Sequence, residues 1–193
     1  MMKKITNFHI LRITMRGFKR FCDEYSIDLD RITYIHGANG EGKSTIADAI
    51  AYAFCGTPFW GEKSCERLQN HECGEMSVEV QFVDDQGEVH TLTRRRAGSS
   101  TTIVFDTMTV RQSDIVNLFA EKDVFLSLLN PLYFIEKIAE GGRELLMKLL
   151  PVIDEKDILA QMSESTQALL ENESLLDPMF YIKKKREEWN LLF

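Results

Sequence analysis

The sequence predicts an α/β fold organised around one phosphate-binding loop, and three observations carry that prediction. A glycine-rich decapeptide, HGANGEGKST at residues 36–45, lies between a short apolar run and a helical one. Apolar and polar residues alternate on both sides of that unit, as half-buried strands require. From Ser113 onward the alternation gives way to a helical period. The loop fits G-x-x-x-x-G-K-[ST], with Gly37, Gly42, Lys43 and Ser44 at the fixed positions. Chance supplies such a match in roughly one chain of this length in a hundred or fewer.

The elements follow in order. Residues 8–16 (FHILRITMR) and 25–29 (YSIDL) alternate and read as two strands. In RITYIH, Ile32, Tyr34 and Ile35 read as a short buried strand leading into the loop. After the loop, Ile46, Ala49, Ile50, Ala53 and Phe54 recur at helical spacing until Gly56 and Pro58 stop the run. Residues 60–75 carry no period and read as a surface loop. SVEVQFVDDQGEVHTLTRRR reads as a hairpin, with Val78, Val80 and Phe82 alternating before the turn at Asp84–Gly87 and Val89, Thr91 and Thr93 after it. TTIVFDTMTVRQ adds one or two strands. Helical spacing then links Ile115, Val116 and Phe119, and later Leu145, Leu146, Leu149 and Leu150, with Glu140-Gly141-Gly142-Arg143 as a helix N-terminus.

Pro151 interrupts this pattern, which divides the chain into a lobe over 1–150 and a helical segment over 151–193. In the latter, Leu159, Met162, Thr166, Leu169, Glu173 and Leu176 step by threes and fours as far as Pro178. Ile182, Arg186, Trp189 and Phe193 then form another stripe. The segment reads either as the base of a two-helix coiled coil whose returning strand is missing or as an amphipathic helix packed on the domain. No breaker closes the last stripe, as expected of a cut chain.

With 193 residues, 44% of them hydrophobic, the chain can bury one core. A net charge of −7 excludes a global basic field that would draw nucleic acid, but the charge is uneven. Between Met1 and Cys22 lie six basic residues and no acidic one, and Arg94, Arg95 and Arg96 form a second cluster. These either meet phosphates locally or are scattered surface charges. Cys22, Cys55, Cys65 and Cys73 lack the four-ligand spacing of a zinc site, although Cys65, His71 and Cys73 lie close together. They read as reduced thiols, which suits a cytoplasmic protein. The N-terminus lacks the apolar core of a signal peptide, and no run is long enough to span a membrane.

The chemistry of the loop is direct. Its glycines let backbone N–H groups close around phosphate oxygens at a helix N-terminus. Lys43 would reach the β- and γ-phosphates of a nucleoside triphosphate, and the Ser44 hydroxyl would ligate Mg²⁺. Hydrolysis also needs an acid at the end of a buried strand. The nearest candidate, VEVQFVDD with Asp84 and Asp85, reads as a half-exposed hairpin, and no Asn-Lys-x-Asp guanine-reading motif occurs. Gln112, where strand turns to helix, is either a hard oxygen ligand or a solvated polar residue. Two rival readings are a small P-loop kinase with Arg94 to Arg96 as a phosphate-clamping lid, and a non-catalytic nucleotide-binding module.

The combination resembles the N-terminal lobe of the SMC-like ATPases, the SbcC, RecF and RecN group with ABC-type heads. IHGANGEGKSTIADAIAYAF is similar to that family's first motif, including Asn39, and VRQSDI is similar to its Q-loop. The likeness spans residues 8 to about 150. It implies a P-loop NTPase lobe with a mixed sheet, the N-terminal half of an ABC-type head, leading into a helical coiled-coil base. By the same resemblance the cofactors are ATP and Mg²⁺. Asn39, Gly40, Glu41, Gly42, Lys43, Ser44 and Thr45 hold the nucleotide, Lys19 and Arg20 lie near it, and Ser44 and Gln112 ligate the metal. The implied partners are the C-terminal lobe of the same ATPase, a second head in an ATP-bound homodimer, DNA and a nuclease subunit, in DNA repair, recombination or processing. The sequence also departs from the pattern. Ser113 stands where glycine is common, and the stretch between hairpin and Q-loop is short. The signature motif, the Walker B acid, the histidine switch and a CxxC zinc hook are absent. The expectation is half a head, with little or no hydrolysis by itself.

Overall fold

Alternation becomes a sheet, and the alanine-rich run after the loop becomes the helix that the sheet wraps. The computed structural model describes residues 4–136, 142, 146, 150, 155–170 and 178–190. The chain forms two compact units, Met1–Leu149 and Leu150–Phe193. In the first, strands β1 (Phe8–Arg16) and β2 (Tyr25–Asp28) precede helix α1 (Lys43–Cys55). Strands β3 (Glu75–Asp84), β4 (Val89–Ala97), β5 (Ser100–Phe105) and β6 (Met108–Val110) follow, then helices α2 (Gln112–Leu118) and α3 (Lys122–Leu129). The sheet order is β2-β1-β3-β4-β5-β6, and every pairing is antiparallel. The expected mixed sheet is therefore antiparallel throughout the described residues.

Three differences from the sequence reading have physical causes. The segment expected as a buried strand before the loop is in no strand, and Ile32 and Tyr34 are 71% and 79% exposed. It has no described strand beside it to pair with, because β2 ends at Asp28 and pairs with β1 alone. In β4 the inward set is Leu92 and Arg94, opposite Val80 and Val78, and not Val89, Thr91 and Thr93. The pairing register decides the phase, and a one-residue slip exchanges the faces. In β1 a bulge lies between Ile10 and Arg12. It switches the core-facing residues from Phe8 and Ile10 to Ile13 and Met15.

Helix α1 is buried on nearly every side, and its small residues allow this. Ile46, Ala49, Ile50, Ala53 and Phe54 pack on the sheet side of the core, while Ala51 meets Leu126 of α3 and Tyr133. Gly56 ends the helix at φ 70°, donating its N–H to Tyr52 O, as a left-handed C-terminal cap does. Phe54 is the hub of the core. Its ring lies 5.0 Å from Phe119, 4.8 Å from Phe125 and 5.4 Å from Phe8 between centroids.

The second unit contains helices α4 (Glu155–Ala160), α5 (Glu164–Leu170) and α6 (Pro178–Asn190). The stripe read from Leu159 to Leu169 is divided between α4 and α5, because Ser163 Oγ accepts the Thr166 N–H and starts a new helix. Pro178 occupies the first position of α6, where its missing N–H costs nothing. The readings at Glu140, Gly141, Arg143, Leu145, Leu149, Pro151, Glu173, Leu176 and Phe193 lie outside the described residues. No helix among the described residues is long and apolar enough to cross a membrane.

Phe54 is 2% exposed, and its truncation leaves a hole among three aromatic rings. Phe54→Ala is expected to cost about 3–5 kcal/mol of stability, read as a lower urea midpoint at unchanged slope.

Candidate functional site

Helix α1 begins at Gly42, φ 95°, with no side-chain cap and no acidic residue in its first turn. Its leading N–H groups and the positive end of its dipole are therefore left for a ligand. They face a cleft of about 450 Å³ lined by Lys19, Arg20, Asn39, Gly40, Gly42, Lys43, Ser44 and Thr45. The structure thus gathers every residue expected to hold the nucleotide except Glu41. That carboxylate folds back on its own loop, where Oε2 accepts the Ala38 N–H at 2.8 Å. Gly42 is required by its positive φ, and a Cβ there would also crowd Phe21 Cζ at 3.2 Å.

The cations of the cleft are placed by different means. Lys43 Nζ donates to Gly37 O and Ala38 O, each at 2.7 Å, so the lysine arches over the loop that carries it. Arg20 donates to Gly40 O at 2.8 Å. Lys19, at φ 50°, pairs through Nζ with Asp48, a residue of α1 that is only 3% exposed. Asp48 Oδ1 also accepts the Phe59 N–H at 2.8 Å, with Arg67 at 3.7 Å.

Residues 60–75, expected as a structureless surface loop, instead hold the Lys19 segment from behind. They contain a 3-10 turn, Glu66–Leu68, whose Leu68 is fully buried. Lys19 N–H donates to Leu68 O at 2.6 Å, and Asn70 Nδ2 donates to Lys19 O at 2.7 Å. Cys22 and Cys73 are joined as a disulfide across the same clamp, which corrects the expectation of reduced thiols for that pair; Cys55 and Cys65 are free. The sequence reading missed Asp48, Leu68 and Asn70. Asp48 did leave a signal, as the single charged residue between Lys43 and Glu62.

Gln112 is not brought to Ser44. Its Nε2 donates to Phe54 O at 3.0 Å and its Oε1 accepts from Arg94, so it sits at the C-terminal end of α1. Ten residues of helix put that end about 15 Å from Ser44. Gln112 does open a helix, but α2 leaves the sheet beside the far end of α1. The metal pair read from the sequence is thereby separated, and only Ser44 remains in the cleft. The arginine run forms no lid over the cleft. Arg94 is 4% exposed with Nε donating to Ala53 O, while Arg95, on the other face of β4, pairs with Glu75.

Beside the loop runs a larger apolar groove of about 910 Å³, with Leu29, Ile35, Ile46, Ile50, Phe59 and Leu128 in its walls and Lys43 among them.

The profile of the family described as "AAA domain" matches residues 12–191. The chain belongs to that family. It is 28% identical over 142 residues to the "Chromosome partition protein Smc" of Mesomycoplasma hyorhinis, covering 62% of this chain and 14% of that protein. It is 38% identical over 58 residues to the Smc protein of Desulfitobacterium hafniense (strain Y51), covering 30% of this chain and 4% of that protein. The chain therefore spans a small part of these relatives. A solved structure of "the recombination mediator protein RecF-ATP in RecFOR pathway" superposes with a TM-score of 0.52 at 15% identity, over 58% of this chain and 30% of that one. The resemblance to the N-terminal region of SMC-like and RecF-type ATPases stands, as does the α/β lobe it implies.

Asp48→Ala removes one partner of a buried ion pair and strands the Lys19 ammonium. The expected loss is about 3–5 kcal/mol of unfolding free energy, measured in urea. Asp85→Ala, exposed at the hairpin turn, is the control.

Proposed function

We propose that this chain is the ATP-binding N-terminal lobe of an SMC-like ATPase. The observation that carries the reading is the cleft, which places three cationic side chains around the uncapped N-terminus of α1. Lys43, Lys19 and Arg20 supply the charge a polyphosphate needs, and the backbone of Gly40 to Thr45 supplies the cradle. Mg²⁺, when bound with the nucleotide, neutralises phosphate charge. Ser44 is the hydroxyl that would ligate it. Asp48 is committed to Lys19 and the Phe59 N–H, and no carboxylate lines the cleft among the described residues.

On this reading the groups that organise the attacking water come from a C-terminal lobe of the same ATPase. The apolar groove beside the loop and the exposed Ile32, Tyr34 and Ile35 support that partner, since such surface is what a second half of a head would cover. A second head would close on the nucleotide in an ATP-dependent homodimer. The relatives' description, chromosome partition, supports a role on DNA, in repair, recombination or processing; a nuclease subunit as partner and a cytoplasmic setting belong to the same proposal.

Two measurements test this. ATP–Mg²⁺ at 100 times its Kd should add about 2.7 kcal/mol of stability in a thermal scan, and Lys43→Ala should remove the increment. No shift at millimolar nucleotide would overturn the reading. Phosphate release should be negligible for the chain alone and appear when the C-terminal lobe is added. Steady turnover by the chain alone would instead mean that the catalytic acid lies within it.

A further inference from the structure

A third cavity, about 270 Å³, opens at the far end of α1 from the nucleotide cleft. Arg94 and Arg96 project into it from β4, and Tyr52, Cys55, Cys65 and Thr101 complete the wall. Arg94 is 4% exposed, yet its partners are all neutral: Ala53 O, Gln112 Oε1 and the face of the Tyr52 ring, 5.7 Å away. Arg96 donates to Gly98 O. Neither arginine has a carboxylate partner among the described residues. The carbonyl end of α1 compensates about half a charge, which leaves most of two guanidinium charges unopposed.

The remaining titratable groups add no negative charge at neutral pH. Burial pushes the Tyr52 phenol and the Cys55 thiol up to about 12, and burial also raises the Cys65 thiol. An independent observation points the same way. Tyr52 is 2% exposed, and its hydroxyl is buried without a hydrogen-bond partner. A buried donor is rarely left unmade unless something outside the protein completes it.

We propose that this cavity binds a tetrahedral oxyanion, a phosphate group, through Arg94, Arg96 and the Tyr52 hydroxyl. Two guanidinium groups and a neutral phenol are the donor set such an anion requires. A volume of 270 Å³ falls below the roughly 300–1,000 Å³ of pockets for drug-sized ligands, so the cavity takes a phosphate group with water and not a nucleotide. The phosphate comes either as the free ion or as the terminal phosphate of a nucleic-acid strand.

The test separates this site from the loop by working in the full chain carrying Lys43→Ala. Inorganic phosphate is titrated by calorimetry, alongside one oligonucleotide with and without a 5′-phosphate. Phosphate binding should survive Lys43→Ala. Adding Tyr52→Phe, which removes only an unbonded hydroxyl, or Arg96→Gln should weaken it about tenfold or more. A phosphorylated oligonucleotide that binds more tightly than both the free ion and its unphosphorylated form identifies a strand end as the source. Tighter binding of the free ion identifies the ion. Loss of all phosphate binding with Lys43→Ala, or an affinity unmoved by both Tyr52→Phe and Arg96→Gln, would overturn the proposal.

Discussion

Asp48 is a carboxylate left only 3% exposed, and much of the site depends on how its charge is satisfied. An isolated carboxylate at that depth would lose several kcal/mol of solvation, so its partners must be held in place. One partner is Lys19, whose left-handed backbone is in turn fixed by Leu68 and Asn70. Another is the Phe59 N–H, which draws the chain leaving α1 back along the helix. A single buried charge thus connects the nucleotide loop, the segment after β1 and the turn after α1. It does so without touching the ligand position itself.

Helix α1 treats its two ends in opposite ways. At the N-terminus, Gly42 offers no side-chain cap, and the free N–H groups face a cleft of cations. At the C-terminus, the carbonyls of Tyr52, Ala53 and Phe54 are taken by the Gly56 N–H, Arg94 and Gln112. The positive end of the dipole is kept available, whereas the negative end is answered inside the protein. That asymmetry explains why a glutamine that looks like a metal ligand in the sequence serves α1 instead.

Local patterns in the sequence foretold local structure well. The span of β1, the inward Val78, Val80 and Phe82 of β3, and the glycine stop of α1 are all written in short-range periodicity. Even the bulge in β1 has a trace, because Ile10 and Leu11 are adjacent apolar residues in an otherwise alternating strand. Facts that depend on sheet order were not legible. Gln112 does stand at a strand–helix junction, but which end of α1 that junction meets follows from β6 lying at the sheet edge. The phase of β4 follows from its register with β3. Leu68 lies in a stretch without any period, so only the fold reveals that it is buried.

The segment before the loop has a consequence for how the chain behaves in solution. Arg31 to Ile35 joins β-branched and aromatic residues with a single charge and no proline or glycine, the composition of a self-associating strand. The sheet's outer strands, β2 and β6, offer only four and three residues to an incoming strand, so they are poor templates for edge growth. Residues 31–35 are different, because their backbone is paired with no strand and their apolar side chains face water. Among the described residues, these five next to the phosphate loop are therefore one colloidal weak point of the chain. A net charge of −7 counters it by mutual repulsion, and that protection fades as salt shortens the reach of the charge.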